Sequence, residues 1–366
     1  MILITSKYGS PIAYKLFKEG QDVKVHTKHQ PSKRKLKGVI KKADSIRDDA
    51  ETYMFTDVGL GSMADKMKSK GKNVWGASLL CDKLALDEKF AMKKLTECGM
   101  KINGTGSKLT IGTRFKDGQH IPPNCMFVTS DTFYPGGFGA KLEGMTTFGW
   151  ISDIFENEVK KLFPYIEKHH YTGLVYFHFF KDGGLYGISP FANRDYFLVH
   201  SYLVDILGVS FKDEVVGSLR VTIPPYPFSD DRYSDFVYAE TRGKKVSGIR
   251  SLLPDDLMYE DCWKMAGCNG VVGDILATAN NVVTVCNDLA CNFQELQVEE
   301  KTARVDFVEH MVEKIKEFVP EKIGNKVKKK LEPSELKKAY EEANKKGDLQ
   351  KVIKISRIMR ENSVEV

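Results

Sequence analysis

The residues best suited to chemistry sit at turns between apolar strands and helices. Ser6-Lys7-Tyr8-Gly9-Ser10-Pro11 separates the apolar run Ile2-Leu3-Ile4-Thr5 from a helical stretch that runs to Lys18, with Ser10 as the expected cap. A helix start presents free backbone N–H groups and the positive end of its dipole, so this turn can attract an anion. Gly59-Leu60-Gly61-Ser62 lies at a second strand–helix junction. A lone G-x-G there either binds phosphate or makes a plain tight turn. A third stretch, Phe133 to Gly139, carries Gly136, Gly137 and Gly139. It is either a loop that closes over a ligand or an ordinary connection. Arg194 offers a planar fork for phosphate or carboxylate, with Asp195 as a competing partner. The candidate ligand site therefore gathers Lys7, Tyr8, Gly9, Ser10, Gly59, Gly61, Ser62, Gly136, Gly137, Gly139 and Arg194. Its expected ligand is a phosphorylated small molecule.

No catalytic residue stands out. His178 lies inside the apolar run Tyr171 to Phe180, on the same side as Tyr176 and Phe180 if that run is a strand. It reads either as a hydrogen-bonded core histidine or as a base. The seven cysteines are an odd number, and neither Cys262/Cys268 nor Cys286/Cys291 has zinc-ligand spacing. Reduced, buried thiols point to a cytoplasmic protein. No run of about 18 apolar residues is present, so no membrane-spanning helix is expected.

The elements that must position these residues alternate. Strand, glycine turn, helix and strand recur from Ile2 to Trp75, the rhythm of a parallel, Rossmann-like sheet. A helix over Leu84 to Cys98 follows, then strands at Leu109-Thr110-Ile111-Gly112 and Cys125-Met126-Phe127-Val128. The spacing predicts a helix from Ile151 to His169. Tyr171 to Phe180 and Leu185 to Ser189 form an antiparallel pair around Asp182-Gly183-Gly184, and a helix runs from about Asp195 to Leu207. Further strands are expected at Leu219 to Ile223 and Val282 to Cys286, and a helix from Glu299 to Phe318. Length alone implies two or three domains, since one domain takes roughly 100–200 residues.

The net charge is +6, with lysines crowded between Lys24 and Lys42 and again between Lys314 and Lys354. The second group lies on an αα-hairpin tail that begins near Pro333-Ser334. These lysines make a solvated helix face, a docking surface for a protein partner, or a weak attraction for nucleic acid.

The order of these parts resembles phosphoribosylamine–glycine ligase (glycinamide ribonucleotide synthetase) of the ATP-grasp superfamily, from Met1 to about Phe318. Asn73-Val74-Trp75-Gly76-Ala77, with the helix through Lys83 and Phe90, looks like the end of that family's first domain. Tyr171-Thr172-Gly173-Leu174-Val175-Tyr176 resembles its Y-T-G-x-x-Y strand, and Leu185-Tyr186-Gly187-Ile188 the strand leading to E-F-N-x-R. Gly217 to Val221, with Pro225-Tyr226-Pro227, is similar to the start of its C-terminal domain. The resemblance implies an α/β fold with four segments: a Rossmann-like pre-ATP-grasp domain over 1–76, a reduced ATP-grasp remnant over 77–208, a mixed C-terminal domain over 209–319, and the basic tail over 320–366.

The departures are chemical. The family's E-F-N-x-R supplies magnesium ligands through its Glu and Asn, and here the stretch looks like Pro190-Phe191-Ala192-Asn193-Arg194. Pro190 and Ala192 have no side-chain oxygen. Only Gly99 to Lys108 stand where the family has its ATP-lid subdomain, with the phosphate-contacting lysine and adenine linker. The first turn keeps a single glycine, and Gly59-Leu60-Gly61 stands where the family has G-P-E. The resemblance then implies a degenerate homologue that needs no cofactor and binds a nucleotide-like or phosphorylated metabolite, or acts as a scaffold. Under the alternative, ATP and magnesium are used by a carbon–nitrogen ligase of purine-like metabolism with a rearranged or partner-completed site. A third alternative is a nucleic-acid-associated protein working through the tail. Pruning of this extent would suit a compact genome such as a phage's.

Overall fold

The computed structural model describes residues 1–6, 9–29, 31–46, 49–132, 141–191, 194–206, 210–212, 214–224, 226, 227, 241–304, 315 and 318. The chain divides into two compact units, Met1–Ile315 and Lys316–Val366. The expected tail helices lie outside the described residues, as does most of the expected helix over Glu299 to Phe318.

The first unit opens with a five-stranded parallel sheet. It is built from β1 (Ile2–Thr5), β2 (Val23–His26), β3 (Lys41–Lys42), β4 (Thr52–Phe55) and β5 (Asn73–Trp75), in the order β3-β2-β1-β4-β5. Helix α1 (Ser10–Lys18) follows β1 and α2 (Gly61–Lys68) follows β4. Strand alternation sends Leu3, Tyr53 and Phe55 into one core with Ala64 of α2. Ile2, Ile4, Val25 and Met54 enter another with Ile12 and Leu16 of α1. Both faces are covered, which is why these strands read as short, unbroken apolar runs.

Helices α3 (Leu79–Leu86) and α4 (Glu88–Glu97) lead to an eight-stranded antiparallel sheet. Its first strands are β6 (Lys108–Lys116), β7 (Gln119–Thr132), β8 (Lys141–Ile151), β9 (Gly173–Phe180) and β10 (Leu185–Ser189). Helices α5 (Glu156–Lys160) and α6 (Phe163–Lys168) lie between β8 and β9, and α7 (Arg194–Leu203) follows β10. Beyond these come β11 (Val215–Thr222), β12 (Lys245–Val246), β13 (Leu252–Pro254), β14 (Leu257–Tyr259), β15 (Trp263–Met265), β16 (Val271–Ala279) and α8 (Val282–Glu295). The large sheet has the order β10-β9-β6-β7-β8-β11-β16-β13, and β12-β15-β14 form a small one. Because β8 pairs with β11, one sheet runs through residues on both sides of position 208.

Three expected elements differ. The helix over Leu84 to Cys98 is two helices, because Asp87 is extended and its side chain accepts from the Phe90 N–H, capping a new start. The span from Ile151 to His169 begins as the end of β8 and then breaks twice, with Phe155 in the left-handed region. Val282 to Cys286 is helical although its β-branched run suggests a strand. Asn281 caps it by accepting from the Thr284 N–H, and Val282, Val285, Cys286 and Leu289 are buried at helical spacing.

The ten residues between α4 and β6 are extended along the sheet edge. The Leu185 N–H donates to the Lys101 carbonyl (2.8 Å), the Asn103 N–H to the Leu185 carbonyl (2.9 Å), and the Lys181 N–H to the Ser107 carbonyl (2.9 Å). Asp182 adds an ion pair with Lys101 (3.2 Å) and accepts from the Thr105 N–H (3.1 Å).

Candidate functional site

Two places collect polar groups near the predicted cleft. The first is the carboxyl edge of the parallel sheet. Gly9 is the residue preceding α1, and its carbonyl accepts the first helical bond from Ala13 (2.9 Å). Ser10 is buried inside the first turn and does not cap it; α1 has no side-chain cap, and Pro11 occupies its start. The Ser6 hydroxyl donates to Asp57 (2.7 Å), tying the turn after β1 to the turn after β4.

At the second turn the anion is already supplied by the chain. The Gly59 N–H donates to one oxygen of Asp82 (2.7 Å) and the Gly61 N–H to the other (2.6 Å). A Cβ on Gly61 would lie 2.2 Å from the Ser78 carbonyl oxygen and 2.6 Å from the Asp82 carboxylate, so the α2 start and α3 meet only because Gly61 has no side chain. Ser62 is exposed beside this junction. Lys7, Tyr8, Gly136, Gly137, Gly139 and Ala192 lie outside the described residues. Arg194 is placed by its backbone at the first position of α7, and its side chain lies outside the described set.

The second place was not anticipated as a whole. A cavity of about 390 Å3 lies on the face of the antiparallel sheet, lined by Lys108 and Thr110 of β6, Thr129 of β7, His178 of β9, Tyr186 of β10 and Tyr196 of α7. Thr110 sits directly opposite His178 in the β6–β9 register and opposite Phe127 in the β6–β7 register, so these side chains share one face. Nδ1 of His178 is 2.9 Å from the Thr110 hydroxyl and Nε2 is 2.8 Å from the Ser189 hydroxyl. Burial, reinforced by the charge of Lys108, pushes the His178 pKa down to about 4. The ring is neutral at pH 7, and both nitrogens are engaged. Lys108 extends over the Tyr186 ring, 4.7 Å from its centroid. The alternation Lys108/Thr110 and Tyr176/His178 was the available signal, but it specifies a strand face and not what covers it.

Beneath this cavity the sheet face keeps polar groups without partners. The Tyr176 hydroxyl, both ring nitrogens of His200 and the Thr147 hydroxyl are buried and make no hydrogen bond among the described residues, and the same holds for the Thr146 hydroxyl on the opposite face. His200 packs on Phe127 and Tyr176, with ring centroids 5.5 and 5.8 Å apart. Burial, with Arg114 adding to it, pushes the His200 pKa down to about 3.

The donor set does not fit a magnesium–triphosphate site. No acidic residue is among the described residues lining the cavity. Pro190 contributes only its carbonyl, 3.4 Å from the Tyr171 hydroxyl. Among the described residues no group of three or more His, Cys, Asp or Glu side chains is placed to hold a metal ion. The Y-T-G start of β9 is structural: the Gly76 N–H donates to the Thr172 carbonyl (2.8 Å), and a Cβ on Gly173 would lie 2.4 Å from the Tyr171 hydroxyl. No described helix is long and apolar enough to cross a membrane.

No protein-family model and no curated protein matches the chain. Solved structures do. The phosphoribosylamine–glycine ligase of Thermotoga maritima superposes with a TM-score of 0.64 at 12% identity, covering 83% of this chain and 99% of that one. The biotin carboxylase–ATP complex of Campylobacter jejuni gives 0.56 at 11% identity, over 89% of this chain and 96% of that one. Pyruvate carboxylase of Rhizobium etli gives 0.56 at 10% identity, over 93% of this chain but 38% of its own. At these identities the likeness speaks for the fold alone, which this chain shares with phosphoribosylamine–glycine ligase and biotin carboxylase.

Proposed function

We propose that this protein is a degenerate relative of phosphoribosylamine–glycine ligase that binds a nucleotide-like or phosphorylated metabolite, or serves as a scaffold, without acting as an ATP-dependent ligase. The observation that carries the reading is the sheet-face cavity, where Lys108 supplies positive charge, His178 is neutral, and no described lining residue is acidic. Transfer from a triphosphate needs carboxylate-held metal to neutralise developing charge, and such ligands are missing at Pro190 and Ala192. An anion held by Lys108 and hydroxyl groups needs no such metal.

The lid belongs to the same reading. A subdomain between α4 and β6 is replaced by ten residues whose backbone is used along β10 and the turn after β9. The four-segment layout, with a pre-grasp part over 1–76, a remnant over 77–208, a C-terminal part over 209–319 and a tail from 320, is inherited from that ancestry. In this reading Lys7, Tyr8, Gly9, Ser10, Ser62, the Gly136–Gly139 stretch and Arg194 remain candidates for ligand contact. Gly59 and Gly61 hold Asp82 in place of a ligand phosphate.

Isothermal titration with ATP, with and without magnesium, tests this. The expected result is no magnesium-dependent binding in the micromolar range. Magnesium-dependent micromolar binding would overturn it in favour of an active ligase with a rearranged or partner-completed site.

A further inference from the structure

A further cavity shares no lining residue with the turns at Gly9 and Gly59–Gly61 or with the sheet-face cavity. It has a volume of about 820 Å3 and lies between α1, α7, residues 203–206 and 210–212, and strands β13 and β16. Helix α1 starts at the carboxyl edge of β1 and runs back, so its last turn and this cavity lie at the opposite edge of the parallel sheet. The volume is that of a small-molecule site.

Backbone hydrogen bonds tie the described parts of its walls together. Val204 and Phe211 form a β-bridge, the Lys212 N–H donates to the Leu203 carbonyl (2.7 Å), and the Asp205 N–H to the Ser210 carbonyl (2.8 Å). The buried Arg114 side chain donates to the Asp205 carbonyl from behind. On the facing side the Leu276 N–H donates to the Ser251 carbonyl (3.1 Å). The floor is apolar, made by Phe197, Leu203, Leu253 and Leu276, all buried. Phe211 lines the cavity with 58% of its surface exposed among the described residues.

The rim is basic. Four cationic side chains line the cavity against two acidic ones. Lys15 pairs with Glu19 and lies 5.0 Å from the Tyr202 ring centroid, so those two acidic and basic groups satisfy one another. Lys18, Lys212 and Arg250 are exposed. Asp205 is the remaining acidic group. The carboxyl ends of α1 and α7 each add about half a negative charge, and Lys18 stands in the last turn of α1. With Asp205 and the helix ends counted, the described lining keeps a charge of about +1, and the exposed Lys212 and Arg250 stand on different segments around one apolar space.

We infer that this cavity is a binding site for an organic anion with a flat or apolar body, an aryl or acyl compound bearing a phosphate, sulfonate or carboxylate, held by Lys212 and Arg250 above the Phe197–Leu253 floor. This is independent of the reading of the sheet-face cavity.

The test uses the full chain and 8-anilinonaphthalene-1-sulfonate, an aromatic sulfonate whose fluorescence rises in apolar surroundings. Wild type is expected to bind it saturably at one site, more weakly as salt is added. The exposed double variant Lys212→Glu/Arg250→Glu should weaken binding by about tenfold or more, since charge-assisted hydrogen bonds are lost and repulsion gained. Phe211→Ser should weaken it without changing the salt dependence. Lys108→Glu, in the other cavity, should leave it unchanged. Near-UV circular dichroism establishes that each variant is folded. Absence of saturable binding to wild type, equal affinity in the double variant, or loss of binding in Lys108→Glu alone would overturn the assignment.

Discussion

Two buried polar assemblies in the first unit follow opposite rules. In one, Lys35 and Asp255 form an ion pair of 2.8 Å with both side chains essentially without solvent contact. Next to them Asp256 accepts from the N–H groups of Cys268 (2.7 Å), Asn269 (2.8 Å) and Gly270 (3.0 Å). Burial opposes the charge on Lys35, but Asp255 and Asp256 outweigh it and its pKa is raised. In the other, Tyr176, His200, Thr146 and Thr147 keep buried polar atoms with no described partner. The first joins a segment following β2 to the turn between β13 and β14 and to the turn between β15 and β16. The second belongs to the antiparallel sheet, with Tyr176 and Thr147 on the face that carries the cavity and Thr146 on the other. Charge can be buried where the fold supplies every partner, and neutral polar groups are tolerated unpaired only because they carry no net charge.

The largest effect is expected where charge is fully paired. Asp256→Ala removes the acceptor for three backbone donors and one of the two carboxylates near Lys35, and should cost roughly 3–5 kcal/mol in urea unfolding, because N–H groups left unsatisfied cost about 1–3 kcal/mol each and do not add fully. Lys35→Met combined with Asp255→Leu should cost less than either change alone. A loss below about 1 kcal/mol for Asp256→Ala would show that the assembly is not a strut.

Acid should reveal the second assembly. His178 and His200 have pKa values of about 4 and about 3, below the ordinary 6.5. The unfolded chain therefore takes up protons first as pH falls. The stability that these neutral rings support is whole above about pH 6.5 and is lost on descent toward pH 4 and then 3, by an amount on the order of 3 kcal/mol for each ring. His200→Leu should flatten the pH dependence of melting over this range. At pH 7.5 the same variant should be neutral or stabilising to within about 1 kcal/mol, because it removes two unpaired polar atoms. An unchanged acid profile in His200→Leu would mean that His200 is not a buried neutral ring.

The smallest effect is expected beyond both assemblies. Removing residues after Pro320 should shift the melting temperature by less than about 2 °C, since residues 316–366 form a unit of their own. A larger fall would show that the tail packs as part of the first unit.

Much of the frame was legible in the residues alone. Short apolar runs bounded by glycine turns specified the parallel sheet, because strands covered on both faces must be apolar at every position. The Y-T-G start of β9 and the order of parts pointed to the fold. Local chemistry was less legible. Val282 to Cys286 has strand-like composition, and only packing against the sheet, with Asn281 as cap, makes it a helix. Asp87 and Phe155 break expected helices for local reasons that a wider hydrophobic period hides.

Sequence by itself determined which residues can serve as metal ligands, since proline and alanine have no side-chain oxygen in any fold. It also determined where backbone must turn tightly. Only the tertiary structure decided what meets at those turns. Gly59 and Gly61 could hold a phosphate by their own properties, and it is Asp82, more than twenty positions along the chain, that takes their N–H groups. Lys212 and Arg250 are unremarkable charges until α1, α7 and β13 enclose an apolar space between them. The physical reason is the same in each case: steric and covalent limits belong to a residue, whereas desolvation and pairing depend on which distant groups the fold brings within a few ångströms.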